Sequence, residues 1–210
     1  MATTDSIKYL GVILDPQLSW NLHVNEIYKR VSSKLYFLRK LSSSLPNQNV
    51  SQLFKICIQP IFEYCCTVWG NGSANNHNKI QNLQNYAARI VTGNYDYVNY
   101  RGSDIVKSLN WQTFDQRKHY FNCVLMFKCI QGLAPSYLSN SVVMACETSD
   151  LNTRLVNSND VSRPDVNIEK YRTAFSYTGA LSYNELPENL KCITSLTRFK
   201  SSYKATMTNN

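Results

Sequence analysis

The fold is decided by residues 21–43, which read NLHVNEIYKRVSSKLYFLRKLSS. Their apolar side chains recur at intervals of three and four residues, which is the period of one face of an α-helix. This apolar stripe consists of Val24, Ile27, Val31, Leu35, Leu38 and Leu41. A helix with one apolar face buries that face against other elements, so the segment predicts one member of a helical bundle.

The opposite face of this predicted helix is basic. At about 100° per residue, Lys29 and Lys40 lie opposite the apolar stripe, and Glu26 is the acidic residue that opposes them. The basic residues of the outer side and its flanks are Lys29, Arg30, Lys34, Arg39 and Lys40. Such a surface suits contact with nucleic-acid phosphates, and the plainer interpretation is a solvated helix face. These five residues are the candidate binding residues.

Two segments flank that helix. Residues 6–14 are apolar and β-branched and stop at Asp15-Pro16, which predicts a single strand without a pairing partner. The segment 47–68 predicts a helix that is apolar over most of its circumference, with a kink near Ile56 because Pro60 lies inside it. Both segments are therefore expected to pack against other elements.

The rest of the chain predicts more helices and one short strand. The helices are expected over 75–92, 104–109 and 113–131 and from Ser195 onward. A strand signal covers Thr173–Tyr177. We therefore predict a mainly α fold, a helical bundle with an N-terminal strand and a small α+β C-terminal segment. The predicted divisions are a strand and turn over 1–20, a helical domain over 21–145, a linker or loose loop over 146–168 and a small segment over 169–210.

Composition narrows the classes of protein. The chain has 210 residues with 22 Lys and Arg against 14 Asp and Glu, so its net charge of +8 favours polyanionic partners. No apolar run approaches the ~20 residues of a membrane span, and the first residues do not resemble a secretory signal. The seven Cys lack zinc-type spacing and predict reduced thiols. We expect an intracellular protein, cytoplasmic or nuclear, without a membrane partner.

The sequence offers no catalytic centre. Phosphate-binding glycine motifs, a nucleophile elbow and the zinc-protease motif are all absent. The nearest acidic pairs, Glu185/Glu188 and Glu147/Asp150, fall in predicted loops and are typical of solvated charges. We therefore predict no catalytic residue, no metal ligand and no cofactor in this chain.

Short motifs follow one another in order along the chain. They are Ile7–Asp15, Pro60–Tyr64 with Val68–Gly70, Ile80–Gln84 with Ala88–Ile90, Leu109–Trp111 with Gln116-Arg117, Gly132–Leu138, Phe175–Ala180 and Asn184–Pro187. Together they resemble the region after the catalytic palm in reverse transcriptases of non-LTR retrotransposons, above all jockey-like elements. One departure is Tyr183, which stands where this family usually has Trp.

The resemblance implies the thumb and post-thumb part of an RNA-directed DNA polymerase. Such a thumb is a helical bundle that lies along the template–primer duplex and contacts its phosphates regardless of sequence. By resemblance, Tyr9, Leu10 and Gly11 belong to a strand beside the primer end. Expected partners are the backbone of an RNA–DNA or DNA duplex and a palm-containing polypeptide.

The same resemblance bears on catalysis. The parent family holds two Mg²⁺ ions with palm carboxylates that include an Asp-Asp pair, and this sequence contains no Asp-Asp. We expect no catalysis by this chain alone. The alternatives are a protein-interaction module that docks through the helix 47–68 and the unpaired strand, a decayed copy without a selected function, and an enzyme of another kind.

Overall fold

Helix α1, Asn21–Leu41, forms from the amphipathic segment in a computed structural model that describes residues 6–148 and 159–208. The predicted stripe is buried from Val24 to Leu38, and Leu41 at the last residue of the helix is exposed. Helices dominate the described chain, and the mainly α prediction is confirmed. The chain divides into two units, Met1–Arg117 and Lys118–Asn210.

The N-terminal segment is a hairpin. Strand β1, Ile7–Tyr9, pairs antiparallel with β2, Val12–Leu14. The turn residues Leu10 and Gly11 have φ of 45° and 85°, the left-handed conformation of tight hairpin turns. The prediction of one strand without a partner is therefore wrong: because Gly11 adopts a positive φ at little cost, the segment reverses and pairs with itself.

The link from β2 to α1 is held by Asp15. Its carboxylate accepts hydrogen bonds from the backbone N–H groups of Gln17 (3.1 Å), Ser19 (2.9 Å) and Trp20 (3.0 Å). Burial by itself would raise the pKa of Asp15, but the hydrogen bonds from Ser19, Trp20 and Gln17 outweigh it and lower the pKa below its usual value. The start of α1 is thus fixed to the end of the hairpin.

The predicted helix 47–68 is broken into pieces. They are α2, Asn47–Leu53, a π-helical turn, Phe54–Ile58, α3, Gln59–Glu63, and α4, Cys66–Trp69. The π turn lies where the kink is predicted, because Pro60 has no N–H and its ring excludes a regular α turn. Every fourth residue is buried, from Val50 to Cys66. Since Ile56 and Cys57 are exposed, the predicted burial around most of the circumference is wrong.

Helix α5, Ala74–Thr92, packs on α1, α2 and α6, Gly102–Ser108. The hydroxyl of Ser73 accepts a hydrogen bond from the N–H of Asn76 at its start, and Gly93 caps its end with φ 68°. The helix thus ends at Thr92, as the predicted range of 75–92 has it. Stacked rings fill the core beside these helices: Phe54 lies 4.4 Å from Trp111, and Trp69 lies 5.6 Å from Phe114. These elements complete the first unit.

The second unit contains most of α7, Phe114–Ile130, and then short helices. They are α8, Ser136–Ser139, α9, Ala145–Thr148, a 3₁₀-helix, Glu169–Thr173, α10, Phe175–Asn184, α11, Glu188–Lys191, and α12, Leu196–Thr208. In its core the rings of Phe127 and Phe199 stack at 4.4 Å.

Two sequence predictions differ from this arrangement. The strand over Thr173–Tyr177 is wrong, because the extended backbone is limited to Ala174, the N-cap of α10. The described C-terminal segment is accordingly helical and not α+β. The predicted division at 21–145, 146–168 and 169–210 stays a prediction, and residues 149–158 of the predicted linker lie outside the described part.

Candidate nucleic-acid interface

The five basic residues of α1 all lie on its exposed side. Within residues 6–148 and 159–208, none of their charges is in an ion pair with a carboxylate. At 1.5 Å per residue, the distance along the helix from Lys29 to Lys40 is ~16 Å. The structure thus exposes all five predicted residues: Lys29 and Lys40 lie opposite the buried stripe, and the others lie on its two flanks. We call these five residues the basic face: Lys29, Arg30, Lys34, Arg39 and Lys40.

Arg39 is held in place by two tyrosines. Its guanidinium donates to the hydroxyl of Tyr86 on α5 (3.2 Å) and lies 5.1 Å from the ring centroid of Tyr95. The hydrogen bond to Tyr86 raises the pKa of Arg39 above its usual value. This charge is therefore both permanent and positioned.

Aromatic rings are interleaved with the basic face. The Nζ of Lys40 lies 4.7 Å from the centroid of the Tyr36 ring, which meets Phe37 edge-to-face at 5.8 Å. Both rings are exposed. The exposure of Tyr36 agrees with the helical period, which places this residue opposite the apolar stripe of α1.

A second aromatic surface was not predicted at all. The loop after α5 reads NYDYVNYR over 94–101, and the rings of Tyr95, Tyr97 and Tyr100 are exposed. Arg89 lies beneath this loop and donates to the carbonyls of Asn94 (3.3 Å), Asp96 (3.0 Å) and Tyr100 (2.6 Å). We call residues 94–101 the tyrosine loop; Arg39 connects it to the basic face through Tyr95.

The hairpin residues singled out by resemblance lie at the turn. Tyr9 and Leu10 are exposed, and the carbonyl of Leu10 accepts the hydroxyl of Tyr64 (2.8 Å). Gly11 lies against the same ring, since a Cβ there would be 3.6 Å from Tyr64. A groove of about 390 Å³ is lined by Ile13 of β2 and by Lys29 of α1, so the hairpin adjoins one end of the basic face.

One cluster in the second unit superficially resembles a nucleophile relay. His119 Nδ1 lies 3.7 Å from the Sγ of Cys123, and its Nε2 lies 3.0 Å from the carboxylate of Glu185. The thiol is fully buried, is 3.3 Å from the carbonyl of Ser182, and has its pKa raised to about 12 by burial. A thiol that stays protonated is a poor nucleophile, so we assign this cluster to packing.

Metal chemistry has no site in the described residues, because no group of three or more His, Cys, Asp or Glu side chains could hold an ion there. The two-Mg²⁺ centre of a polymerase therefore does not fit the residues present. For the acidic pair Glu147/Asp150, the residue Asp150 lies outside the described part of the chain. Among the described helices, none is both long and apolar enough to cross a bilayer.

Comparison with curated proteins gives three relatives. The chain is 35% identical over 92 residues to the probable RNA-directed DNA polymerase from transposon X-element of Drosophila melanogaster, covering 42% of this chain and 10% of that protein. It is 32% identical over 113 residues to the probable RNA-directed DNA polymerase from transposon BS of the same species (52% and 12%). The RNA-directed DNA polymerase from mobile element jockey of Drosophila funebris is 28% identical over 96 residues (44% and 10%).

The chain is homologous to part of jockey-like reverse transcriptases. The family resemblance is thereby confirmed, and the chain spans about a tenth of the length of these curated relatives. No family model matches the chain. No solved structure matches it significantly.

The motifs that carried the jockey-like resemblance are mainly structural. Phe62, Trp69 and Trp111 are buried core residues. Glu63 pairs with Arg117, whose Nη2 lies 3.0 Å from the Glu63 carboxylate. These four motif residues and Arg117 therefore help to hold the fold, whereas the basic face lies outside the motifs.

Proposed function

We propose that this chain is the thumb and post-thumb part of a jockey-like reverse transcriptase, and that it binds the backbone of a template–primer duplex without reading its sequence. The observation that carries the proposal is the basic face of α1. Its five cationic side chains are exposed and, in the described structure, have no carboxylate partner.

Unneutralised charge on a rigid helix is suited to phosphates. The ~16 Å from Lys29 to Lys40 corresponds to about five phosphates of one strand, which are ~3.4 Å apart along the axis of a DNA duplex. Two basic residues elsewhere are neutralised by carboxylates: Arg117 pairs with Glu63, and Lys191 pairs with Asp160 at 2.6 Å. The unpaired charge of α1 therefore favours a polyanion as the ligand.

On this proposal the chain holds the duplex and does not extend the primer. Primer extension needs carboxylates that bind two metal ions, and the described residues offer no such cluster. We propose that a palm-containing polypeptide supplies them. A chain acting in this way would work in the cytoplasm or nucleus, beside its template.

The test is the affinity of the full chain for an RNA–DNA duplex and for a DNA duplex across a salt series. Four or five phosphate contacts give a log–log slope between about −3.5 and −4.5, at about −0.9 per contact on DNA. The double variant Lys29→Ala/Lys34→Ala should reduce the magnitude of this log–log slope by about 2. Duplexes of unrelated sequence should bind alike.

The matched control is Arg163→Ala/Arg198→Ala, which removes the same charge from two exposed side chains of the other unit. It should leave the slope nearly unchanged. No binding at ~50 mM salt would overturn the proposal, because phosphate contacts are strongest there. An identical loss in both double variants would assign the binding to net charge alone.

A second candidate function is docking onto a palm-containing polypeptide, as in the interaction-module alternative. It is favoured by the exposed apolar side chains of the hairpin, Ile7, Tyr9 and Leu10. The helix 47–68 no longer supports it, since Phe54, Ile58 and Phe62 are already buried within this chain. The test is co-purification of the chain with a jockey-like palm polypeptide. Loss of co-purification in Leu10→Ser would support docking, and co-purification that persists in this variant would reject it.

A further inference from the structure

The tyrosine loop exposes aromatic surface that the fold does not use. Tyr97 is 65% exposed and Tyr100 is 52% exposed, and Val98 between them is 92% exposed. Exposed rings of this size are unusual on a solvated loop, because each leaves a large apolar area in water. Three exposed rings within six residues form an aromatic surface that suits a ligand with flat apolar faces.

The loop is nonetheless well ordered by polar contacts. Arg89 is 4% exposed and binds three backbone carbonyls of the loop. The carboxylate of Asp96 accepts the N–H groups of Val98 and Asn99, both at 2.9 Å. The loop thus presents its rings in a fixed arrangement, and binding would cost little ordering entropy.

Tyr97 has the geometry of a stacking platform. The guanidinium carbon of Arg89 lies 4.1 Å from the centroid of its ring, which is a cation–π contact. Most of the remaining ring surface is open to solvent. A ring that is supported by a cation and otherwise exposed can stack a planar group without moving.

Charge decides what kind of planar group fits. The side chains at this surface include Arg39 near Tyr95, Arg89 beneath the loop and the exposed Arg101. The one acidic residue of the loop, Asp96, has its carboxylate occupied by backbone N–H groups. Aromatic rings combined with net positive charge are typical of surfaces that bind single-stranded nucleic acid.

We propose that the tyrosine loop stacks unpaired bases of a single-stranded segment that continues from the duplex bound by α1. The inference rests on the proposed function of the basic face, to which Arg39 connects the loop. Tyr97 and Tyr100 provide the stacking rings, and Arg39 contributes charge toward the phosphates at the junction. The ligand is a duplex with a single-stranded extension.

The experiment compares a blunt duplex with the same duplex carrying a single-stranded extension of about six nucleotides, in RNA and DNA and in both polarities. Stacking of two bases, one on each ring, should raise the affinity of the full chain by at least about 25-fold over the blunt duplex. Tyr97→Ala and Tyr100→Ala should each reduce this gain by at least about fivefold. Binding of the blunt duplex should stay unchanged.

Two controls separate stacking from folding. Tyr97→Phe keeps the ring and should keep the gain. Tyr137→Ala removes a tyrosine of the other unit that is 73% exposed, more than either loop ring, and should have no effect. Thermal unfolding of each variant shows whether the loop substitution has disturbed the fold, and the Phe variant remains informative if Tyr97→Ala is destabilised.

The outcomes distinguish the two proposals. Binding of the blunt duplex without a gain from any extension would overturn the stacking inference and leave the basic face intact. Equal losses on blunt and extended duplexes in Tyr100→Ala would also overturn it. Failure to bind either ligand would remove the proposed function itself. A gain that survives Tyr97→Ala and Tyr100→Ala together would place the single strand elsewhere.

Discussion

Glu63 and Arg117 form a two-pronged ion pair across 54 residues of sequence. Arg117 donates from Nε to one carboxylate oxygen and from Nη2 to the other, the second at 3.0 Å. The two side chains are only 11% and 20% exposed. The pair therefore ties the end of α3 to the first turns of α7 inside the first unit.

Removing either partner should destabilise the protein. Glu63→Ala leaves a largely buried guanidinium without its carboxylate, which we expect to lower the free energy of unfolding by about 2–3 kcal/mol. The double variant Glu63→Ala/Arg117→Ala should lose less than the sum of the single variants. Urea unfolding at pH 7 measures these values. The exposed Glu26→Ala is the control, and a loss as small as that control would contradict the expectation.

His23 should make stability depend on pH. Its Nδ1 accepts the N–H of Ile13 (3.3 Å), its ring meets Trp69 at 5.4 Å, and burial lowers its pKa below 6.5. Because the folded protein favours neutral His23, its contribution is complete above pH 6.5 and is lost as the pH falls toward the lowered pKa.

The measurement is the free energy of unfolding between pH 8 and pH 5, for the native chain and for His23→Gln. We expect the native chain to lose up to about 1.4 kcal/mol per pH unit from this group, and the variant to show a flatter profile. The other histidines are the same in both proteins, so the difference isolates His23. Parallel profiles would show that His23 is not responsible.

Gly102→Ala should reverse the usual effect of alanine in a helix. Alanine stabilises a helix interior relative to glycine by about 1 kcal/mol, and Gly102 at the first residue of α6 would gain at most part of this. A Cβ at Gly102 would lie 2.6 Å from the Cβ of Asn85 on α5, so the helices must separate. We expect a loss of about 1–3 kcal/mol in thermal or urea unfolding. The neighbouring Ser103→Ala is the control, and a stabilised Gly102→Ala protein would refute the close approach.

Six of the seven cysteines should react in two classes, and Cys65 is intermediate in exposure. A thiol reagent at pH 8 should label the exposed thiols rapidly in the folded protein and the buried thiols only after unfolding. Burial raises the pKa of Cys129 and raises that of Cys123 to about 12, so thiolate is scarce there as well. The exposed residues are Cys57, Cys146 and Cys192, and the buried ones are Cys66, Cys123 and Cys129. Rapid labelling of Cys123, located by peptide mapping, would contradict its assignment to packing.

The strongly periodic helices could be predicted from sequence, and their partners could not. Helix α1 follows its apolar stripe, and α5 ends at Gly93 as its pattern indicates. The hairpin could not be predicted because strands of three residues are too short to show an alternating pattern. The feature that decides it is the positive φ of Gly11. The sequence predicts the position of the bend near Ile56 but not that it is a π-helical turn. Pro60 shows which hydrogen bond is missing, and it does not show which hydrogen bond replaces it.

The candidate site divides in the same way. Charge on a helix face is readable, since Lys29 and Lys40 lie opposite the stripe in sequence and on the exposed side in the structure. The tyrosine loop was missed because no periodicity applies to a loop, and because a buried Arg89 that binds backbone carbonyls leaves no pattern of side-chain types. Its nearest signal was three tyrosines within six residues, 95–100.

The π-helical turn before Pro60 has a consequence for how the first unit meets a ligand. Its bend arises from an amide hydrogen that proline does not possess, and no bound partner can restore that hydrogen. A regular α-helix therefore cannot form from Phe54 to Glu63, whether or not a partner is bound. We therefore expect the bend between α2 and α3 to be the same in the free protein and in the protein with a bound ligand.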